Sequence, residues 1–161
     1  MMSFFYTIIV VKNMRKYYLF IIKDNYYNKY QYSPYILYKA LYYLYKMNRY
    51  DLENGLYLYN KVCNIIGKNV ILNYIKNKFD YKVYSDKIIR LNSVLEKTYV
   101  QVNYSCIIIM SNINYPYIFK ILNIYNKKIF VCDFINGDYF FLKETINSEF
   151  YKVNTYNKLG G

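Results

Sequence analysis

The chain has 161 residues, 55% of them hydrophobic and 22% aromatic, which excludes intrinsic disorder and leaves enough apolar mass for one domain with a respectable core. Its formal charge is +12, with 26 Tyr and neither His nor Trp, so imidazole is removed from every catalytic or zinc-binding scheme. A basic balance attracts nucleic acid, anionic lipid or an acidic protein patch, but the lysines are spread along the chain and Arg15, Arg49 and Arg90 are its only guanidinium groups. The apolar run at residues 4–11 is far shorter than the roughly 20 residues that span a bilayer. It lacks the basic flank and small-residue cleavage site of a signal peptide. Met14-Arg15-Lys16 reads as a second start, so residues 1–13 are either the product of an upstream start codon, the favoured reading, or an extra edge strand.

Residues 17–23, β-branched and aromatic, predict a strand buried on both faces. Residues 24–31 predict one or two helical turns. Ser33-Pro34 then supplies an N-cap and a proline suited to the first helical position. In the helix that follows, Leu37, Ala40, Leu41 and Leu44 form a core-facing stripe. Asp51 opens a further helix over 51–66, with Leu52, Leu56, Tyr59, Cys63 and Ile66 recurring at three- and four-residue steps and Gly67 ending it. Gly55 inside that helix costs about 1 kcal/mol relative to Ala.

Residues 68–79 are helical by period, aligning Ile71, Ile75 and Phe79. Residues 87–91, 98–102 and 105–110 are short and strand-like. Asn114-Tyr115-Pro116 introduces a helix with the stripe Ile118, Ile121, Leu122 and Tyr125. Asn136-Gly137 between two apolar runs is a hairpin signal in which both central residues take positive φ. The polar segment 149–161 reads as a frayed tail. The expected fold is α+β: a single domain whose mixed, mostly antiparallel sheet of about five strands packs with three to four helices.

Enzyme signatures are sparse. Neither phosphate-cradling glycine loop occurs, the acidic residues form no D-x-D or E-x-x-E cluster, and no His can activate a nucleophile. Cys63, Cys106 and Cys132 are far apart, each inside an apolar run, which suits small buried hydrophobes in a reducing cytoplasm. Asp133 is the one carboxylate in an apolar strand. It could be an acid of raised pKa, though such a residue more often ends a strand and hydrogen-bonds the adjoining turn.

The tyrosines after the first strand raise a sharper question. Tyr26 and Tyr30, four apart on a helical turn, share a face, while Tyr27 points elsewhere. Periodicity alone leaves two readings open, a core helix or a docking surface.

The segment MRKYYLFIIKDNYYNKY resembles the opening of the sporulation inhibitor of replication family (SirA). The elements concerned are Tyr17-Tyr18, Ile22-Lys23-Asp24 and Tyr26-Tyr27-Asn28-Lys29-Tyr30. IFVCDFINGDYFFL resembles the family's closing hairpin, with Asp133-Phe134 at the Asp-Phe position. The resemblance covers residues 14 to about 144 and leaves out 1–13; the corresponding domain is set at 14–148. Tyr26 stands where Phe is usual, and Lys29 where the family can show His.

The resemblance implies a cytoplasmic, non-enzymatic regulator without cofactor, metal, small-molecule substrate or membrane contact. It would bind the N-terminal domain of the replication initiator DnaA and block assembly at the origin as sporulation begins. Tyr26, Tyr30 and Asn28 would face DnaA, and Lys61 would join them from the 51–66 helix, where no matching aromatic occurs. The rival readings are a basic single-stranded nucleic-acid module, with Tyr stacking on bases and Lys on phosphates, and an enzyme centred on Asp133.

Overall fold

The structure, a computed structural model, describes residues 14–47 and 49–143. The readings offered for residues 1–13 and for the 149–161 tail lie outside these. In chain order the elements are β1 (Arg15–Ile22), α1 (Asp24–Tyr30), α2 (Pro34–Lys46), a 3-10 turn at Arg49–Asp51, α3 (Leu52–Val62), β2 (Cys63–Asn64) and α4 (Lys68–Lys78). Then come β3 (Tyr81–Ser85), β4 (Ile88–Leu91), β5 (Thr98–Val102), β6 (Ile107–Ser111), α5 (Ile118–Tyr125), β7 (Ile129–Asp133) and β8 (Asp138–Phe141).

The α+β class holds, but among the described residues there are eight strands and five α-helices, more of each than expected. The strand order is β3-β4-β5-β6-β1-β7-β8, with β2 against β1. Every pairing among them is antiparallel.

Two strands escaped the sequence reading. β3 is exposed on both sides, so no apolar alternation marks it. β2 is the larger correction. The helix expected over 51–66 stops at Val62, because Cys63 turns extended (φ −116°, ψ 152°) and pairs with Ile22. Gly67 therefore precedes α4 as its N-cap instead of closing α3.

β1 lies inside the sheet, with Leu19 opposite Ile107 of β6 and Val131 of β7. Its side chains alternate between two helical layers. Tyr17, Leu19 and Ile21 meet Ile71, Ile75, Ile118 and Leu122 from α4 and α5. Tyr18, Phe20 and Ile22 meet Leu37, Leu41 and Leu44 of α2 and Tyr59 and Val62 of α3. The leucine stripe of α2 is thus the core face, with Ala40 half-buried at its margin.

The closing hairpin differs from the expected two-residue turn. Asp133 pairs with Asp138, so the loop is 134–137, and Gly137 alone within it has positive φ (67°). The cause is Asp133, whose carboxylate accepts the backbone N–H groups of Ile135 (3.2 Å) and Asn136 (3.1 Å) and the Asn136 amide Nδ2 (2.7 Å). An aspartate that binds its own turn replaces the geometry Asn-Gly would otherwise impose.

Candidate protein interface

α1 follows β1 after a single residue, Lys23, which is held firmly. Its N–H donates to the Val62 carbonyl at 2.9 Å, and its ammonium donates to the Asn60 carbonyl. These bonds bring the start of α1 to the end of α3, where Lys61 is exposed. Asp24 in the first turn pairs with the Lys128 ammonium, which ties the helix to the approach of β7.

α1 buries none of its seven residues fully. Tyr27 turns inward and meets Phe141 edge-on, with centroids 5.2 Å apart. Tyr26 and Tyr30 lie against each other at 5.6 Å, half-buried at the margin of the core, with Lys29 placed 5.2 Å above the Tyr30 ring. Asn28 is exposed. The four residues singled out from the sequence thus stand on two elements that Lys23 ties together. Tyr26 and Tyr30 touch, while Asn28 and Lys61 stand in solvent.

Asp133 is fully buried. The Arg15 guanidinium donates to it at 2.7 Å and reaches Asp138 at 3.0 Å and the Asn114 amide oxygen at 2.9 Å. Burial alone would raise the Asp133 carboxyl, but hydrogen bonds from Asn136 and Arg15 and the Arg15 charge hold it below its ordinary value. A carboxylate stabilised in this way is a poor proton donor near neutrality. A shallow cleft of about 280 Å³ lined by Arg90, Asn92, Ser93 and Val94 lies at β4, four strands from β7.

Burial also pushes up the thiols, Cys106 to about 12, and all three are buried and outside any disulfide. They pack as hydrophobes. Tyr59 donates its phenol to the Ser105 carbonyl at 2.8 Å. Among the described residues no three His, Cys, Asp or Glu side chains gather as metal ligands, and no helix is long and apolar enough to cross a membrane.

The sequence reading missed a second aromatic array. Phe134, from the hairpin loop, stacks on Tyr45 (4.4 Å, 11°) and Tyr38 (5.9 Å, 28°) of α2. Tyr38 in turn stacks on Tyr139 of β8 at 4.6 Å. The signal was present: Tyr35, Tyr38, Tyr42 and Tyr45 recur at three- and four-residue steps beside the leucine stripe. In a chain so rich in Tyr, that spacing does not stand out. Compared with known proteins, the chain matches no protein-family model and no curated protein.

Proposed function

We propose that the chain is a non-enzymatic inhibitor of replication initiation that docks the α1 face onto the N-terminal domain of DnaA and occludes its assembly at the origin, in a sporulation-linked role. The observation that carries the reading is the Tyr26–Tyr30 ring pair at 5.6 Å on a helix without a fully buried residue. The two rings are steadied by each other and by the core margin, while part of each remains in solvent. Aromatic anchors pre-ordered in this way contribute area at low entropy cost. The residues shared with the sporulation inhibitor of replication family supply the identity of the partner.

The mechanism is steric. An interface burying about 800 Å² on each partner needs no chemistry to hold. Lys23 holds the end of α3 to the start of α1, and in this reading the charge of Lys61 on that end would raise the association rate and add little to affinity.

Calorimetric titration of the full chain with the host DnaA N-terminal domain tests the proposal. Tyr26→Ala and Tyr30→Ala are each expected to weaken binding by about 2 kcal/mol or more. Both variants should still unfold cooperatively, since neither ring is fully buried. Normal binding by both variants rules out this face. Tight, steeply salt-dependent binding to a single-stranded oligonucleotide, with none to DnaA, would favour the nucleic-acid module instead.

A further inference from the structure

Away from α1, the outward side of α2 carries Tyr35, Lys39, Tyr42, Tyr43 and Lys46, all exposed. Steps of three and four residues set them along one strip. The helix has 13 residues, so the strip runs for about 20 Å. Its charge has one sign. No acidic residue occurs between Asp24 and Asp51, and the aspartates of the adjacent hairpin, Asp133 and Asp138, are engaged by Arg15. Asp51 and Glu53 come only after the helix has ended.

Two of the three rings on this strip, Tyr35 and Tyr42, are already engaged. Tyr42 stacks on Tyr38 at 5.8 Å with the Lys46 ammonium 5.9 Å from its centroid. Tyr35 lies beside Tyr139 at 6.1 Å with Lys39 at 5.7 Å. Stacking on bases requires free ring faces, and those of Tyr35 and Tyr42 are partly taken by neighbouring rings and ammonium groups. What remains outward is apolar ring edge interleaved with lysine, a surface matched by carboxylates around an apolar seam.

We propose that this α2 strip is a second docking surface, separate from the α1 face, and that it takes an acidic amphipathic helix of a partner protein. The partner's carboxylates would meet Lys39 and Lys46, and its apolar side would lie over Tyr42 and Tyr43. An exposed helix face is well suited to a second helix, which can set its ridges between these side chains.

The probe is a labelled synthetic helix with Leu on one side and Glu on the other, titrated with the full chain and followed by fluorescence anisotropy at physiological salt. Lys39→Glu/Lys46→Glu is expected to weaken binding about tenfold or more. Lys78→Glu/Lys120→Glu makes the same change in net charge on α4 and α5, across the sheet, and is expected to change binding less than about twofold. Tyr42→Ala/Tyr43→Ala is expected to weaken it as well. Three results would overturn the proposal: no binding, equal loss in the two charge-reversed variants, or displacement of the helix by oligo-dT. Loss of DnaA binding in the Tyr26 and Tyr30 variants does not bear on it.

Discussion

The two sides of the sheet are built from different materials although one strand feeds both. Toward α4 and α5 the core is mainly aliphatic, with Ile, Val and Leu around Tyr17 and Phe119. Toward α1, α2 and α3 it is aromatic, with Phe20, Phe130, Phe134 and Phe141 buried and Tyr26, Tyr30, Tyr38 and Tyr45 half-buried at its margin. Aliphatic side chains offer nothing to water and stay inside their layer, whose half-buried margin is Leu72, Phe79, Tyr115, Tyr125 and Phe140. Tyrosine has an apolar body and a polar tip, so its layer runs outward into solvent without a sharp boundary. Both proposed docking surfaces stand where that aromatic layer emerges.

Phe134 and Phe119 put the contrast to its strongest test. They are 7% and 2% exposed, so truncation removes similar buried area. Phe119→Ala is expected to cost about 3 kcal/mol in urea-induced unfolding, the lower end for a buried ring. Phe134→Ala should cost about 4–5 kcal/mol, since its ring packs among Tyr18, Tyr38 and Tyr45, whereas Phe119 meets Tyr17 and Phe140 edge-on. Equal costs would mean that the aromatic layer adds nothing beyond area.

Asp133 comes next. Asp133→Ala leaves the hairpin loop without its acceptor and Arg15 with only Asp138 and Asn114, and is expected to cost about 3 kcal/mol. Its folded-state pKa is depressed, so its contribution is fully present above the ordinary carboxylate range. It is lost as pH falls through the lowered value. The variant should therefore show a flatter loss of stability in acid than the parent. Parallel acid limbs would show that the ion pair contributes no pH-dependent stability.

The smallest expected effect is at Gly55, which faces Met47 where α3 passes close to the end of α2. A Cβ there would lie 2.4 Å from the Met47 sulfur and 3.7 Å from Leu44. Met47 ends in a flexible thioether that can move aside. Gly55→Ala is therefore expected to stay within about 1 kcal/mol of the parent, the helix-propensity gain offsetting the displaced contact. In a Met47→Ala background the same substitution should be stabilising, as a shift in urea midpoint would report.

Local pattern made much of this architecture legible. The apolar run after Lys16, the leucines of α2 and the Ile71–Ile75 pair each point to their buried faces, because burial on one side imposes a period. Asp133 was also legible, since an aspartate ending a strand has a nearby turn to bind. β3 was not, because an edge strand exposed on both sides has no face to declare. The end of α3 was hidden too: helical spacing ran on through Cys63 and Ile66, and only pairing with Ile22 pulled Cys63 into the sheet.

The α1 tyrosines were legible as a pair sharing a face, with Tyr27 turned the other way. The α2 ladder was not, since its partner Phe134 comes from a loop 89 residues beyond Tyr45.

From its sequence alone the chain determined which segments alternate, which carry a stripe and where a catalytic imidazole is impossible, because those depend on residue type and short-range spacing. Only the tertiary structure decided which rings are core and which are surface. A tyrosine is stable in either setting, and its place depends on what the rest of the chain lays against it.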